Sequence, residues 1–468
     1  MKKTLAFISA CIFACGLLPA QTIQRCATHE IYESNVQKNP GYSAAVEHAF
    51  NYAKDYAQRT FANKSGDWDT IYRIPVVVHI VYNITEQNLD DSLICNQIEV
   101  LNQDYRRLNP DTGNTRTEFK SRAADAGIEF FLATTDPQGN HTTGITRDST
   151  VRAYFSVLGG GQQNGADEVK SSSTGGVDPW DTENYLNIWV CNLEDPNLPF
   201  GAVLGFSYPP DNAPNWPVEA FQPDPNLHGV VIHFKVFGRN NPLAVAPLNI
   251  AKRGRTATHE VGHYLGLRHI WGDGPLSILG IPDCSVDDGI DDTPNSGTNS
   301  QLEASTATDC DINKNTCTDS LSDLPDMWEN YMDYSKEECQ NMFTLGQVAI
   351  MRAMLATSRS ELPVFEEPAL SSVCAPPVSI YPVIGNHVSL SVYPNPSQGI
   401  FTIEISSSAK QFTVLSIHDV FGKRVDTFKI NETGKGKFTI PADNFPKGVY
   451  FIRLETKYSS AVSKVVIQ

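Results

Sequence analysis

The sequence predicts two folded units in series, a mixed α/β unit and then a small all-β sandwich. Three observations carry that expectation. The chain has 468 residues, more than one hydrophobic core usually serves. Between Ile71 and Leu362, β-branched runs alternate with stretches of three- and four-residue apolar periodicity, the pattern of strands joined by helices. From Val388 onward only alternating segments remain, separated by Asn-Pro, Phe-Gly and Lys-Gly turns. A formal charge of −17 repels phosphates and argues against nucleic acid as a partner.

Met1-Lys2-Lys3, the apolar run Leu5 to Leu18 and Pro19-Ala20-Gln21 have the three regions of a secretory signal peptide, so residues 1–20 are expected to be a leader. Export permits disulfides later in the chain. Residues 21–65 read as a pro-segment. Within it, Val46, Ala49, Phe50, Ala53 and Ala57 form one apolar face of a helix from Tyr42 to Phe61, suited to pack on the following unit.

The α/β unit is expected over residues 66–362. Arg73 to Tyr82 is a β-branched run that reads as a buried strand, with His79 in a structural role. Ile98, Leu101, Tyr105 and Leu108 mark an amphipathic helix ending before Pro110. Further strands are expected at Ile128–Leu132, Tyr185–Val190 and Gly229–Phe234, with a Gly- and Ser-rich loop over residues 159–176. Thr344-Leu345-Gly346-Gln347 has the form of a capping box, and Val348, Met351 and Leu355 trace the buried stripe of a closing helix. A Pro-rich linker, residues 363–387, leads to the sandwich at 388–468.

One stretch inside the α/β unit carries chemistry. Thr256 to His269 places His259, Glu260, His263, Gly266 and His269 in the order H-E-x-x-H-x-x-G-x-x-H. Four residues advance a helix by slightly more than one turn, so His259 and His263 share a face and Glu260 flanks it as a general base. Gly266 can take a left-handed conformation, end the helix and let the chain return with His269 as a third ligand. Three histidines suit zinc and leave a fourth position for water. With 11 histidines and 32 glycines in the chain, a chance match has a probability on the order of 10⁻⁵, which separates this motif from most short patterns. Asn330-Tyr331-Met332-Asp333-Tyr334 follows, where metzincins carry a methionine turn; Met332 offers a polarizable floor and Tyr334 a hydroxyl for a developing oxyanion.

Other residues extend the site. Cys26, beside Arg25 in the pro-segment, can fill the open metal position as a thiolate and hold the precursor latent. Asp283, Asp287, Asp288, Asp291 and Asp292 form an acidic cluster of the kind that suits calcium. Cys284, Cys310, Cys317 and Cys339 are expected to staple this segment, with three pairings open.

The stretches HEVGHYLGLRHIWGD, DDGIDDTPN and NYMDY, with the four flanking cysteines, resemble the pappalysin family of metzincins in its bacterial cytophagalysin branch, over roughly residues 70–360. The resemblance implies a metzincin-like zinc peptidase with a mixed sheet and an active-site helix. It implies zinc on His259, His263 and His269, with Glu260 as general base and Tyr334 near the oxyanion. It also implies structural calcium around Asp288, Ile290 and Thr293, pairings of Cys284 with Cys317 and Cys310 with Cys339, and Cys26 as the pro-segment cysteine. In relatives that cut before arginine or lysine, an acidic residue precedes the last of those cysteines; here it is Glu338, where aspartate is usual. Val392-Tyr393-Pro394-Asn395-Pro396, Gly399, Val420-Phe421-Gly422 and Gly448-Val449-Tyr450 resemble the type IX secretion sorting domain, which implies outer-membrane passage and release or surface attachment. The expected function is therefore a secreted zinc endopeptidase acting on proteins or peptides, inhibited by its own pro-segment. An adhesin on a decayed peptidase fold and an exopeptidase are the rivals.

Overall fold

A computed structural model describes residues 23–39, 41–61, 68–157, 165–194, 201–210, 224–274, 276–277, 280–301, 310, 313–318, 323–365, 371, 373–374, 388–407, 414–419, 423–429, 435–455 and 460–468. The expected leader and most of the expected linker lie outside them. The chain divides into two compact units, Met1–Cys374 and Ala375–Gln468.

The first unit opens with helices α1 (Thr28–Lys38) and α2 (Tyr42–Phe61). The apolar face of α2 is buried through Ala49, Phe50, Ala53 and Ala57, as its periodicity predicts, whereas Val46 is only partly covered and Ala45 is buried in its place. Strand β1 (Tyr72–Tyr82) is buried continuously from Ile74 to Val81 because it lies inside a largely parallel sheet with both faces covered. Helix α3 (Asp91–Tyr105) and the two-residue strand β2 (Ala123–Ala124) follow, then β3 (Ile128–Leu132), β4 (Ile145–Ser149), β5 (Leu186–Cys191), β6 (Gly205–Ser207) and β7 (Val230–His233). The sheet order is β3-β1-β5-β7-β6, with β4 continuing the β3 side of β1. All pairings are parallel except β6 with β7, so an antiparallel edge strand closes an otherwise parallel sheet. Helix α4 (Arg255–Tyr264), strand β8 (Phe343–Thr344) and helix α5 (Leu345–Ala356) complete the unit. The capping box of α5 is formed by Thr344 and Gln347.

Two expectations need correction. Leu108 does not join the buried stripe of α3: the helix stops at Tyr105, Arg107 takes a left-handed φ of 47°, and Leu108 is 69% exposed. The first unit does not end near Leu362 either. Arg73 and Val364 exchange backbone hydrogen bonds of 3.2 and 2.8 Å, the Ser371 hydroxyl donates to Thr143 O, and Cys374 is disulfide-bonded to Cys95 on α3. These links hold residues that the proline content alone assigns to a linker.

His79 is structural. It is fully buried in β1, with Nδ1 2.9 Å from Thr146 Oγ1 and Nε2 2.9 Å from Asn187 Oδ1, and burial pushes its pKa down from 6.5 to about 4. The unfolded chain therefore binds one more proton than the native state between those values. Stability from this group is complete above pH 6.5 and is lost as pH falls toward 4, by about 3 kcal/mol in all. Urea unfolding at pH 7 and pH 4.5 is expected to show a smaller acid loss for His79→Gln than for the native chain; equal losses would contradict this assignment.

In the second unit every pairing within its two sheets is antiparallel. One sheet orders β13 (Lys435–Pro441), β10 (Ile400–Ser407) and β9 (Val388–Tyr393); the other orders β12 (Arg424–Lys429), β11 (Val414–Asp419), β14 (Gly448–Glu455) and β15 (Ser460–Ile467). Alternate residues of the two sheets, among them Phe401, Ile403, Leu415, Ile417, Ile452 and Leu454, share one core.

Candidate active site

The site is built on α4, which is buried along its whole length. Glu337 anchors its start, accepting from the backbone N–H and hydroxyl of Thr256 at 2.7 and 3.0 Å, where an anion complements the helix dipole. Arg255 reaches Asp111 with two 2.7 Å hydrogen bonds and lies 3.3 Å from Asp104, which also accepts from the Tyr331 and Thr258 hydroxyls. At the other end Gly266 takes φ 90°, and a Cβ there would sit 2.7 Å from Met354 Cε on α5. Only glycine satisfies both conditions, and the reversal it permits carries His269 back over the helix.

The three imidazoles converge. Their Nε2 atoms are 3.1 Å (His259 to His263), 3.0 Å (His263 to His269) and 3.2 Å (His259 to His269) apart. Each Nδ1 faces an acceptor: Tyr331 O at 2.7 Å, Leu267 O at 2.9 Å and Asp273 Oδ1 at 2.6 Å for His259, His263 and His269. These partners assign the proton to Nδ1 and turn the Nε2 lone pairs toward one point. Tetrahedral zinc with bonds of about 2.0–2.1 Å needs nitrogens about 3.3 Å apart, close to what the chain provides. Burial holds His259 well below its ordinary pKa and His263 at about 3, so both stay neutral, the state that binds a cation. Met332 lies under the helix, its sulfur so near that a Cβ on Gly262 would meet it at 2.5 Å.

Glu260 is fully buried beside the histidines, and desolvation raises its pKa to about 8. Gly205 of β6 makes room for it, since a Cβ there would lie 2.8 Å from Glu260 Cγ. Tyr334 stacks edge-on against His269 at 5.0 Å and Trp271 at 4.7 Å, and its hydroxyl donates to Cys26 O at 3.2 Å.

The N-terminal segment, expected to be a pro-segment, enters this site. Gln24 pairs in parallel with Val203, and hydrogen bonds of 3.0–3.1 Å join Gln24 and Ala27 to Ala202, Leu204 and Gly205, extending the edge of the sheet. Cys26 Sγ and the three histidines offer ligand atoms that all lie within 4.8 Å of one another. The thiol also donates to Glu260 Oε2 at 3.4 Å, and the Thr28 hydroxyl donates to the same oxygen at 3.2 Å. Arg25 is buried, donating to Ser335 O at 2.7 Å and Tyr334 O at 3.3 Å; burial lowers its pKa, and Glu337, Asp333 and Glu338 offset that only in part. Glu338 itself is exposed, whereas Glu337 is buried. Thr28, Gly205 and Glu337 escape a sequence reading because their partners are distant in the chain; Asp273 lies only four residues after His269, but the left-handed backbone that brings the two together has no local signal; Arg25 is visible beside Cys26, but where its guanidinium lands is not.

The acidic loop is ordered by its own hydrogen bonds. Buried Asp288 Oδ1 accepts from Ile290 N at 2.9 Å and the Thr293 hydroxyl at 2.8 Å, and burial, followed by Asp287, raises its pKa well above the carboxylate range. Disulfides join Cys284 to Cys317 and Cys310 to Cys339; the buried Cys191 is a free thiol.

Residues 243–356 match the family model described as pregnancy-associated plasma protein-A, and residues 391–468 match the secretion system C-terminal sorting domain. The chain is 38% identical to Tannerella forsythia promirolysin, covering 97% of that structure with 72% of its own length at a TM-score of 0.57. The chain belongs to the pappalysin family of metalloproteases. It is also similar to mature mirolysin of the same organism, solved with a cleaved peptide, at 42% identity over 63% of this chain and 97% of that one, TM-score 0.52. An extracellular metalloprotease of Pyricularia oryzae is 28% identical over 61% of this chain and 76% of its own length. This family member is thus a metalloendopeptidase with a mixed-sheet metzincin-like fold, and its sorting domain marks it as exported by the type IX route, secreted or held at the cell surface.

Proposed function

We propose that the protein is a zinc endopeptidase that uses a metal-activated water and prefers arginine or lysine after the scissile bond. The observation that carries the proposal is the convergence of three Nε2 atoms within 3.2 Å beside Glu260. His259, His263 and His269 would hold the ion, which when bound supplies Lewis acidity that polarises the scissile carbonyl and acidifies the attacking water. Glu260 takes the proton from that water and passes it to the leaving amine. The Tyr334 hydroxyl, released from Cys26 O, donates to the oxyanion. Met332 supports the helix from below.

Latency is assigned to residues 21–65. Cys26 Sγ stands among the three imidazoles, where it would take the place of the water, and both Cys26 and Thr28 donate to the general base, so both partners in water activation would be engaged. Burial and Asp287 disfavour the charge on Asp288, and a calcium ion in that loop would supply the missing counter-charge, which supports that part of the reading.

The buried Arg25 guanidinium, held by two carbonyls and flanked by acidic side chains, supports a pocket for a basic side chain. Glu338 is proposed as an outer carboxylate of that pocket. Cleavage of a mixed peptide library by the processed enzyme is expected to give internal cuts before Arg or Lys. Glu338→Ala should reduce that selection by about 2- to 5-fold, the range of a solvent-exposed charge pair. Terminal trimming alone would point to an exopeptidase, and an unchanged profile would remove Glu338 from the pocket.

A further inference from the structure

The three histidines are not supported alike. His259 and His263 give their Nδ1 protons to backbone carbonyls, Tyr331 O and Leu267 O, whereas His269 gives its proton to a carboxylate, Asp273 Oδ1, at 2.6 Å. His269 is also the one outside α4, carried on the loop after Gly266, so no helical hydrogen bonds fix its backbone. Two contacts replace them. The Trp271 ring stacks on the imidazole at 4.3 Å and 8°, and Asp273 clamps its far edge. Asp273 reaches that edge only because Gly272 and Asp273 both take left-handed backbone, φ 67° and 54°. Such a conformation is uncommon for a residue with a side chain and persists where the surroundings require it. The second oxygen of Asp273 faces His29 of the pro-segment, 3.9 Å away.

We infer that Asp273 is a positioning residue for the third ligand: its carboxylate fixes the orientation of His269, raises the basicity of Nε2 and so sets the affinity of the site for zinc. The inference rests on the zinc reading of the three histidines. A carboxylate behind a ligating imidazole both locks its tautomer and strengthens it as a donor, and loss of such a partner weakens metal binding by about 10- to 100-fold.

The left-handed backbone selects the test variants. Glycine and asparagine both tolerate φ near 54°, so Asp273→Gly and Asp273→Asn keep the turn while removing the carboxylate or only its charge. Zinc affinity of the processed enzyme is measured by competition with a chelator, together with the unfolding temperature of the zinc-free protein. The expected result is an affinity lower by about 10- to 100-fold for Asp273→Gly and by a smaller factor for Asp273→Asn, with zinc-free unfolding unchanged. Unchanged affinity in both variants overturns the inference, as does a fall in zinc-free stability that accounts for the loss. His263→Ala is the reference. If it loses zinc while the Asp273 variants keep it, only the positioning role fails; if it too keeps zinc, the three-histidine reading fails and this inference with it.

Discussion

Replacing Glu260 with alanine is expected to lower kcat/KM for peptide hydrolysis by about 10²- to 10⁴-fold, the range for loss of a positioned general base. The side chain is fully buried beside the three imidazoles, and Gly205 leaves just the space it fills, so few other groups can stand in for it. A water without that base must lose its proton to bulk solvent, and the leaving amine must find its proton there as well. In the assay, native enzyme and variant are both freed of residues 21–65 by the same added protease, so that the comparison does not depend on how the segment is removed. Zinc content and circular dichroism should match those of the native enzyme, because Glu260 is no ligand in this account. Hydrolysis at an undiminished rate would remove Glu260 from the mechanism.

Replacing Cys26 with alanine is expected to weaken inhibition by the pro-segment by about 10- to 100-fold, as the loss of a charge-assisted contact typically does. The remainder of the pro-segment keeps its hold: Gln24 and Ala27 stay paired with the sheet edge, α2 stays packed through its alanine face, and Lys54 still donates to Gly289 O. The variant should therefore fold as a precursor and activate with a shorter lag. Thr28→Val removes only the hydroxyl on Glu260 and is expected to shorten the lag by a few-fold, about what one neutral hydrogen bond contributes. Equal lag times for Cys26→Ala and the native precursor would exclude a thiol switch.

The metal helix could be read from the sequence because helical geometry alone relates His259 to His263 and because Gly266 announces the turn that returns His269. The closing helix was legible for a similar local reason, its Thr344 and Gln347 lying three residues apart. Long-range partners were not. Cys95 and Cys374 are 279 residues apart, and nothing near either one indicates the other. The end of the first unit was misplaced for the same reason, since composition reports the prolines of residues 363–387 but not the bridge from Val364 to Arg73. The periodicity that placed Leu108 on α3 continues past the residue where the backbone leaves the helix, so pattern overran geometry. Around the site, sequence supplies the residues proposed to touch the reaction, while two of the groups that hold them depend on tertiary contacts, Glu337 on the start of α4 and Thr28 on Glu260; Asp273 is local to His269 but reaches it through left-handed backbone that no pattern announces.

The central claim is that three histidines hold one zinc ion and that this ion is required for hydrolysis. Elemental analysis of the processed enzyme, set beside its peptidase activity and that of His263→Ala, tests it most directly. About one zinc per chain is expected in the active enzyme, with both metal and activity lost in the variant. An enzyme that remains fully active with a zinc content near zero would contradict it.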